Sequence, residues 1–212
     1  MSTATLPELA TQHAPATLEC QPAWEIAQLF PYQGNWSKYD YLDLPTNHLV
    51  EFDNGRIEVL PVPSIRHQNI QLNIAVPLRV FVQVHELGTV LCSPMPLQVA
   101  PLKYREPDVF VTQSTAPQES DSDKFLDSAE LVIEIISEGA ANRKRDLTDK
   151  RADYAAAGIA EYWIVDPDPQ SVSVLRLQGS EYVEFGTFGI EDLVRSDAVS
   201  GFEIAVSKIF AK

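Results

Sequence analysis

Cysteine is scarce in this 212-residue sequence, which contains only Cys20 and Cys92. Two cysteines do not make the disulfide framework of a small secreted protein, and they fit a reducing compartment. The first twenty residues lack a basic region followed by an apolar stretch, so they do not have the pattern of a signal peptide. No apolar run approaches the roughly 20 residues that a transmembrane helix needs. The sequence therefore predicts a soluble, cytoplasmic protein with no membrane partner.

Basic residues are also few, since 16 Lys and Arg stand against 30 Asp and Glu, and the formal net charge is -14. Such a surface repels polyanions, so contact with nucleic acid would need a local basic patch or bound metal ions. The sequence also lacks the Cys/His spacing of a zinc site, a glycine-rich phosphate loop and a G-x-S-x-G elbow. These absences argue against a zinc enzyme, an enzyme with a phosphate-binding loop and a hydrolase with a serine nucleophile on such an elbow.

What remains is the composition of a globular protein, with 45% hydrophobic and 22% charged residues. Residues 1–22 are rich in Thr, Ala, Pro and Gln, and we expect them to form a flexible N-terminal arm. We expect residues 23–212 to form a single domain, because no repeat or interior linker divides them.

Hydrophobic periodicity and turn residues indicate an α/β (α+β) fold in which a mixed central sheet is flanked by helices. The longest predicted helix runs from about Ser64 to His85, with a kink at Pro77. A second helix is expected over residues 142–157. The other predicted elements are a short helix at 37–45, a hairpin around Asn54–Gly55, strands at 89–100, 107–113, 131–136 and 161–166, a polar loop at 114–128 and a hairpin around Gly179.

One acidic residue lies inside a predicted buried strand. Glu134 interrupts the run from Leu131 to Ile136, whose other five residues are all aliphatic. Such a run is typical of a strand buried on both faces, where an unpartnered carboxylate costs several kcal/mol. Glu134 is therefore either a functional acid with a compensating partner or a neutral or ion-paired core acid.

Asp108 is the first candidate to act with Glu134. It begins the preceding strand, and adjacent strands can bring two carboxylates to one point, where together they could hold a hard divalent cation. A polar residue at the mouth of a strand is the alternative interpretation of Asp108.

Lys150 is the second candidate. At about 100° per residue it shares the predicted sheet-facing sector of the second helix with Leu147, Tyr154 and Ala157. The alternative is a lysine that snorkels along a solvated edge. Two acids and a lysine at one sheet edge indicate metal-assisted phosphodiester hydrolysis, in which the metal polarises a phosphoryl oxygen and the lysine meets the developing negative charge.

At these residues the chain resembles the Uma2 family of restriction endonucleases, within the PD-(D/E)XK nuclease superfamily. The resemblance extends from about Tyr39 to Phe210. The motifs that carry it are PDV at 107–109, ELVIEIIS at 130–137 and RDLTDKRADYAAAGIAEYWIVDP at 145–167. It implies a restriction-endonuclease-like core with an added N-terminal hairpin and C-terminal strands.

The resemblance also implies a metal-dependent endonuclease that acts on nucleic acid, in the first place DNA, with Mg²⁺ or Mn²⁺ as cofactor. Asp108 and Glu134 match the two metal-binding acids, and the backbone carbonyl of Ile135 matches a third ligand. The usual lysine position holds Ile136, and Lys150 on the next helix matches a displaced catalytic lysine. A homodimer is implied because related enzymes cut two strands with two sites.

Five further residues match family motifs and are accessory candidates: Glu51, His67, Arg143, Asp146 and Tyr154. Glu51 or His67 could supply an extra metal ligand or transfer a proton. For His67 the alternative is a residue at the start of a helix that bonds locally.

Two other functions stay open at this point. A catalytically inactive interaction module that keeps the nuclease fold would explain the net charge and the lack of a dense Lys/Arg stripe. In that case Glu134 and Lys150 would form a buried ion pair. Hydrolysis of some other phosphate ester is the third hypothesis, because nothing in the sequence specifies DNA.

Overall fold

The computed structural model describes residues 30–46, 48–113, 124–137, 139 and 143–211, so the predicted arm at residues 1–22 lies outside the described residues. The helices are α1 (Lys38–Leu42), α2 (Ile65–Val84), α3 (Lys150–Ala156), which follows a π-helical turn (Arg145–Asp149), and α4 (Val206–Ile209). The strands are β1 (Val50–Asp53), β2 (Arg56–Val59), β3 (Thr89–Cys92), β4 (Leu97–Ala100), β5 (Lys103–Arg105), β6 (Val109–Thr112), β7 (Leu131–Ile135), β8 (Glu161–Asp166), β9 (Ser171–Gln178), β10 (Glu181–Phe188), β11 (Leu193–Arg195) and β12 (Glu203–Ala205).

A six-stranded mixed sheet lies at the centre, with the strand order β10-β9-β8-β7-β6-β3. Strands β7 and β8 run parallel, and the other neighbours are antiparallel. Helix α2 packs on one face of this sheet and α3 on the other. The predicted mixed sheet flanked by helices is therefore confirmed, as are the two hairpins.

Strand β7 is buried on both faces, as its aliphatic run predicts. Leu131, Ile133 and Ile135 pack in the cluster that contains the buried side of α2. Val132 and Ile136 pack in the cluster that contains residues of α3. Since side chains alternate along a strand, Glu134 lies on the α3 side of the sheet.

The N-terminal hairpin belongs to a second, four-stranded sheet with the order β2-β1-β5-β4. Strand β5 was not predicted, because a strand of three residues is too short to show a period. The single strand predicted at 89–100 is wrong: β3 belongs to the central sheet and β4 to the second one. Pro94 lies between them and has no N–H with which to continue a ladder.

Helix α2 begins and ends where the sequence predicts. The side chain of Ser64 accepts a hydrogen bond from the backbone N–H of His67, and His85 caps the other end. This cap fixes the first turn of α2, which carries His67.

The hairpin turn depends on Gly55, whose φ is +81°. A Cβ atom at this position would lie 2.6 Å from the backbone oxygen of Gly34. We expect Gly55→Ala to lower the free energy of unfolding by about 2–3 kcal/mol, measured by urea denaturation. Gly179→Ala is the matched control, because its φ of +67° is similar but its Cβ would meet open space. Gly179→Ala should lower the free energy of unfolding by about 1 kcal/mol. Equal losses in the two variants would show that the contact with Gly34 does not destabilise Gly55→Ala.

Candidate active site

The central sheet brings Asp108 next to Glu134. The antiparallel register pairs Val109 with Ile133, and one residue further it sets Asp108 opposite Glu134. The backbone N–H of Ile135 donates to Asp108 Oδ2 at 2.7 Å. Asp108 is 6% exposed and Glu134 is 3% exposed. Both acids are thus almost fully buried, and they line the same pocket.

Helix α3 supplies two donors to Glu134. Lys150 Nζ donates to Glu134 Oε1 at 2.8 Å, and the hydroxyl of Tyr154 donates to the same oxygen at 2.5 Å. Burial, together with the charges of Glu134 and Glu51, raises the pKa of Tyr154 well above its usual value. The hydroxyl therefore stays protonated. The buried charge of Glu134 is compensated by an ion pair and a hydrogen bond.

Lys150 lies between two carboxylates. Its Nζ atom is 3.1 Å from Glu51 Oε1 on β1, and Lys150 itself is 2% exposed. Burial favours the neutral form of Glu51, but the charges of Lys150 and Arg105 outweigh it, so the pKa of Glu51 is lowered. Glu51 is thus an ionised second partner of Lys150, beside Glu134.

Arg105 extends this network, and the sequence did not single it out as a site residue. Its guanidinium donates to Glu51 Oε2 at 2.6 Å and to Asp153 on α3 at 2.9 and 2.5 Å. The contact arises because β5 pairs with β1 in the second sheet. Since β5 itself was not predicted, nothing in the sequence indicated that Arg105 would reach Glu51.

His67 is a side-chain partner of Asp108. From the first turn of α2, its Nε2 atom lies 3.2 Å from Asp108 Oδ2. Burial favours neutral His67, but the hydrogen bond and charge of Asp108 and the charge of Glu134 outweigh it, so the pKa of His67 is raised. The acid pair therefore favours the protonated form of His67 more than water does.

Glu106 is a second residue that the sequence did not single out. It accepts hydrogen bonds from the backbone N–H of Val50 at 3.1 Å and from the Tyr41 hydroxyl at 3.4 Å. Burial raises its pKa to about 8. The only feature of the sequence that could have pointed to Glu106 is its position next to Pro107 and Asp108. That position does not by itself indicate burial.

The raised pKa of Glu106 predicts a pH-dependent effect on stability. Between pH 4.5 and about 8 the unfolded chain releases the proton that the folded protein keeps, so wild-type stability falls as the pH rises through this range. Glu106→Gln does not titrate; its amide oxygen can accept from the Val50 N–H, and its amide nitrogen can donate to the Tyr41 hydroxyl oxygen. We expect it to be more stable than wild type by about 2–4 kcal/mol at pH 8 and by little at pH 4.5. Urea unfolding in EDTA across this range tests it, and a difference that is constant with pH would contradict it.

Part of this network lines one small pocket, which we call the acid pocket. Its volume is about 20 Å³, and its polar lining includes His67, Glu106, Asp108, Glu134 and Lys150. Such a space holds one water molecule or one ion. Among the described residues, no three His, Cys, Asp or Glu side chains converge as a metal cluster. Asp108 and Glu134 are the acid pair in this pocket that could hold a divalent cation through their oxygens.

Arg143, another accessory candidate, lies further out. Arg143 pairs with Asp166 and lines a neighbouring pocket of about 400 Å³, which we call the outer pocket. His67 lines both pockets. Asp146 falls in the π-helical turn, but its side chain lies outside the described residues.

The predicted sheet-facing sector of α3 is partly wrong. Lys150 and Tyr154 are buried, but Leu147 is 38% exposed and Ala157 is also exposed. Leu147 lies in the π-helical turn, which advances by less than 100° per residue and so changes the phase of the helix. Ala157 lies one residue beyond the last helical residue.

The mixed sheet between helices, with one buried acid just before β6 and another in β7, is an α+β fold that a solved structure shares. A family model described as "Uma2: Putative restriction endonuclease" matches residues 36–207. Because this match covers most of the chain, the protein belongs to the Uma2 family.

One solved structure has a similar fold: "a putative nuclease belonging to DUF820 from Anabaena variabilis ATCC 29413". The TM-score is 0.65 at 23% sequence identity, and the match covers 82% of this chain and 97% of that chain. A comparison with curated proteins found no match. Within the described ranges, no helix is long and apolar enough to cross a bilayer.

Proposed function

We propose that the protein is a metal-dependent endonuclease that hydrolyses phosphodiester bonds of nucleic acid, in the first place DNA. The observation that carries this proposal is the acid pocket, where Asp108 and Glu134 lie together and Lys150 donates to Glu134 at 2.8 Å. Two acids and a cation of this kind suit charge stabilisation at a phosphoryl group. Membership of the Uma2 family supports the same function.

Asp108 and Glu134 would hold Mg²⁺ or Mn²⁺, and Ile135, which lines the same pocket, would add its backbone carbonyl. This donor set fits a hard divalent cation, because its atoms are all oxygens. When bound, the ion polarises a phosphoryl oxygen and lowers the pKa of a coordinated water.

The protein's own residues then have separate roles. Lys150 stabilises the negative charge that develops on the phosphate. Glu51 keeps Lys150 in position while Glu134 would bind the metal. His67 and Tyr154 orient Asp108 and Glu134 through their hydrogen bonds.

Substrate would enter through the outer pocket. The acid pocket is too small for a nucleotide, but the outer pocket of about 400 Å³ shares Pro61, Pro63, His67 and Ser137 with it. A phosphate next to the scissile one would lie near Arg143, whose side chain is 43% exposed.

The test is nicking of supercoiled plasmid in Mg²⁺ or Mn²⁺, with single-stranded DNA and RNA as parallel substrates. We expect nicking that EDTA and Asp108→Asn both abolish. Asp197→Asn is the matched control, since this exposed aspartate lies outside the acid pocket and should keep full activity. Nicking that survives Asp108→Asn would contradict the proposed site.

A non-catalytic interaction module is the second candidate function. It is favoured by one observation, the buried pair of Lys150 and Glu134, which needs no metal to compensate the charge. Calorimetric titration with Mn²⁺ separates the two. Binding that Asp108→Asn removes supports the nuclease, whereas no binding and no cleavage of any substrate would support the module.

A further inference from the structure

The residues that would cleave a phosphodiester bond are nearly inaccessible from solvent. Asp108 is 6% exposed, Glu134 is 3% exposed and Lys150 is 2% exposed. A phosphate that lies on the protein surface therefore does not reach them. The scissile phosphate would have to enter the protein, through the outer pocket, before it could approach the acid pair.

The segment that joins β2 to α2 lines both pockets. Pro61 and Pro63 line the acid pocket and the outer pocket alike, and Val62 between them lines the outer pocket. Each proline fixes its own φ angle, so this shared wall has few conformations to adopt. A segment of this kind is poorly suited to moving aside for a large substrate.

The outer pocket has the size of a site for one nucleotide. Its volume is about 400 Å³, towards the lower end of the range of about 300–1,000 Å³ for pockets that bind small ligands. A DNA duplex, whose major groove alone is about 12 Å wide, is too large for such a space. A strand that has left its partner can place a single nucleotide in it.

The lining of the outer pocket also suits an unpaired base. It includes three prolines, Val62 and Ile136, and it includes Arg66 and Arg143 as cations. Apolar side chains can pack on the face of a base, and arginine can pair with a phosphate. Val62 is 76% exposed, so its side chain is available to a ligand. A base inside a duplex is stacked on its neighbours and does not offer its face in this way.

Charge favours a single strand over a duplex. The net charge of the chain is -14, so its surface repels polyanions. A duplex carries about one negative charge per 1.7 Å of its axis, and a single strand about one per 3.4 Å, so the duplex is repelled more. In the outer pocket Arg66 pairs with Asp168 and Arg143 pairs with Asp166, so these four charges balance there.

We propose that the outer pocket binds one unpaired nucleotide and that the enzyme therefore cleaves single-stranded nucleic acid in preference to duplex. Enzymes that cannot reach their target atom inside a duplex act on single strands or extrude a nucleotide. Val62 packs on the base, and Arg143 lies near the adjacent phosphate. This inference rests on the nuclease function proposed above. Supercoiled plasmid remains a substrate, because negative supercoiling favours local unpairing.

The experiment compares cleavage of one end-labelled DNA strand in Mn²⁺, alone and annealed to its complement. Unpairing costs a few kcal/mol, so we expect kcat/KM to be at least about 100-fold higher for the strand alone. An RNA strand of the same sequence is measured beside it, and a preference for either strand over the duplex supports the proposal. Equal rates for the strand and the duplex would overturn it and leave the nuclease function intact.

Val62→Ser tests the contact with the base. It should raise KM for the single strand about tenfold with little change in kcat, because the contact is made in the ground state and the transition state alike. Val183→Ser is the matched control, since Val183 is 47% exposed on β10 and lines neither pocket. An unchanged KM in Val62→Ser, or an equal rise in the control, would contradict the assignment of Val62.

Binding separates a failure of this inference from a failure of the nuclease function. Fluorescence anisotropy with wild type in Ca²⁺ measures the dissociation constants of the labelled strand and of its duplex. Tighter binding of the strand without cleavage of either form would support the pocket and contradict the nuclease. Equal or tighter binding of the duplex would contradict the pocket, and no binding and no cleavage of any form would overturn both.

Discussion

Replacing Glu134 with Gln is expected to lower the rate of metal-dependent plasmid nicking about a thousandfold. Gln keeps the size of the side chain but removes the charge that would hold the divalent ion. Metal ions contribute several kcal/mol of transition-state stabilisation, and about 4 kcal/mol corresponds to this factor. The fold should be retained, because Lys150 keeps its second carboxylate, Glu51, at 3.1 Å.

The measurement is the initial rate of nicking at saturating Mg²⁺, beside the unfolding midpoint of the same preparation. Glu184→Gln, a change of the same kind at an exposed position on β10, should have wild-type activity. Activity within tenfold of wild type in Glu134→Gln would exclude Glu134 as the essential metal ligand. Equal loss in the control would show that the assay follows protein quality and not the site.

Replacing Lys150 with Met is expected to lower the free energy of unfolding by about 3–5 kcal/mol at neutral pH. Lys150 pairs with both Glu134 and Glu51, and all three residues are at most 3% exposed. Met has a similar length, so little packing is lost, but two buried carboxylates lose their shared cation. Urea unfolding in EDTA measures the effect without a contribution from metal.

A double variant tests whether the lost ion pairs cause the loss of stability in Lys150→Met. Glu51→Gln/Lys150→Met removes one of the two carboxylates that share Lys150, so it should recover part of the lost stability. The non-additivity of the two changes should exceed about 1 kcal/mol, as expected for residues in direct contact. A loss below about 1 kcal/mol in Lys150→Met, or no recovery in the double variant, would show that the ion pairs do not hold Lys150 in place.

The sequence correctly predicted the elements that are specified by residues close together in the chain. Ser64 marks the start of α2, Asn54 and Gly55 make the hairpin turn, and the aliphatic run around Glu134 is a strand buried on both faces. Each of these features depends on residues within one turn or one strand. The prediction was wrong at residues 89–100, where one continuous pattern serves two strands in different sheets.

Some residues of the candidate site could likewise be found from their sequence neighbours, and others could not. Glu134 was found because a charge inside an apolar strand conflicts with its own neighbours. Arg105 and Glu106 were not found, because their sequence neighbourhood is polar and their burial comes from pairing and packing far along the chain. The phase of α3 was missed at Leu147 because a π-helical turn leaves no pattern in the sequence.

The sequence by itself determined that Glu134 needs a partner, and it indicated the family through motifs around Asp108, Glu134 and Lys150. Only the tertiary structure decided how the charge is compensated: Lys150 lies between Glu134 and Glu51, and Arg105 supports Glu51. The reason is physical. The cost of burying a charge follows from local composition, whereas the group that repays it is selected by contacts between strands and helices distant in the chain.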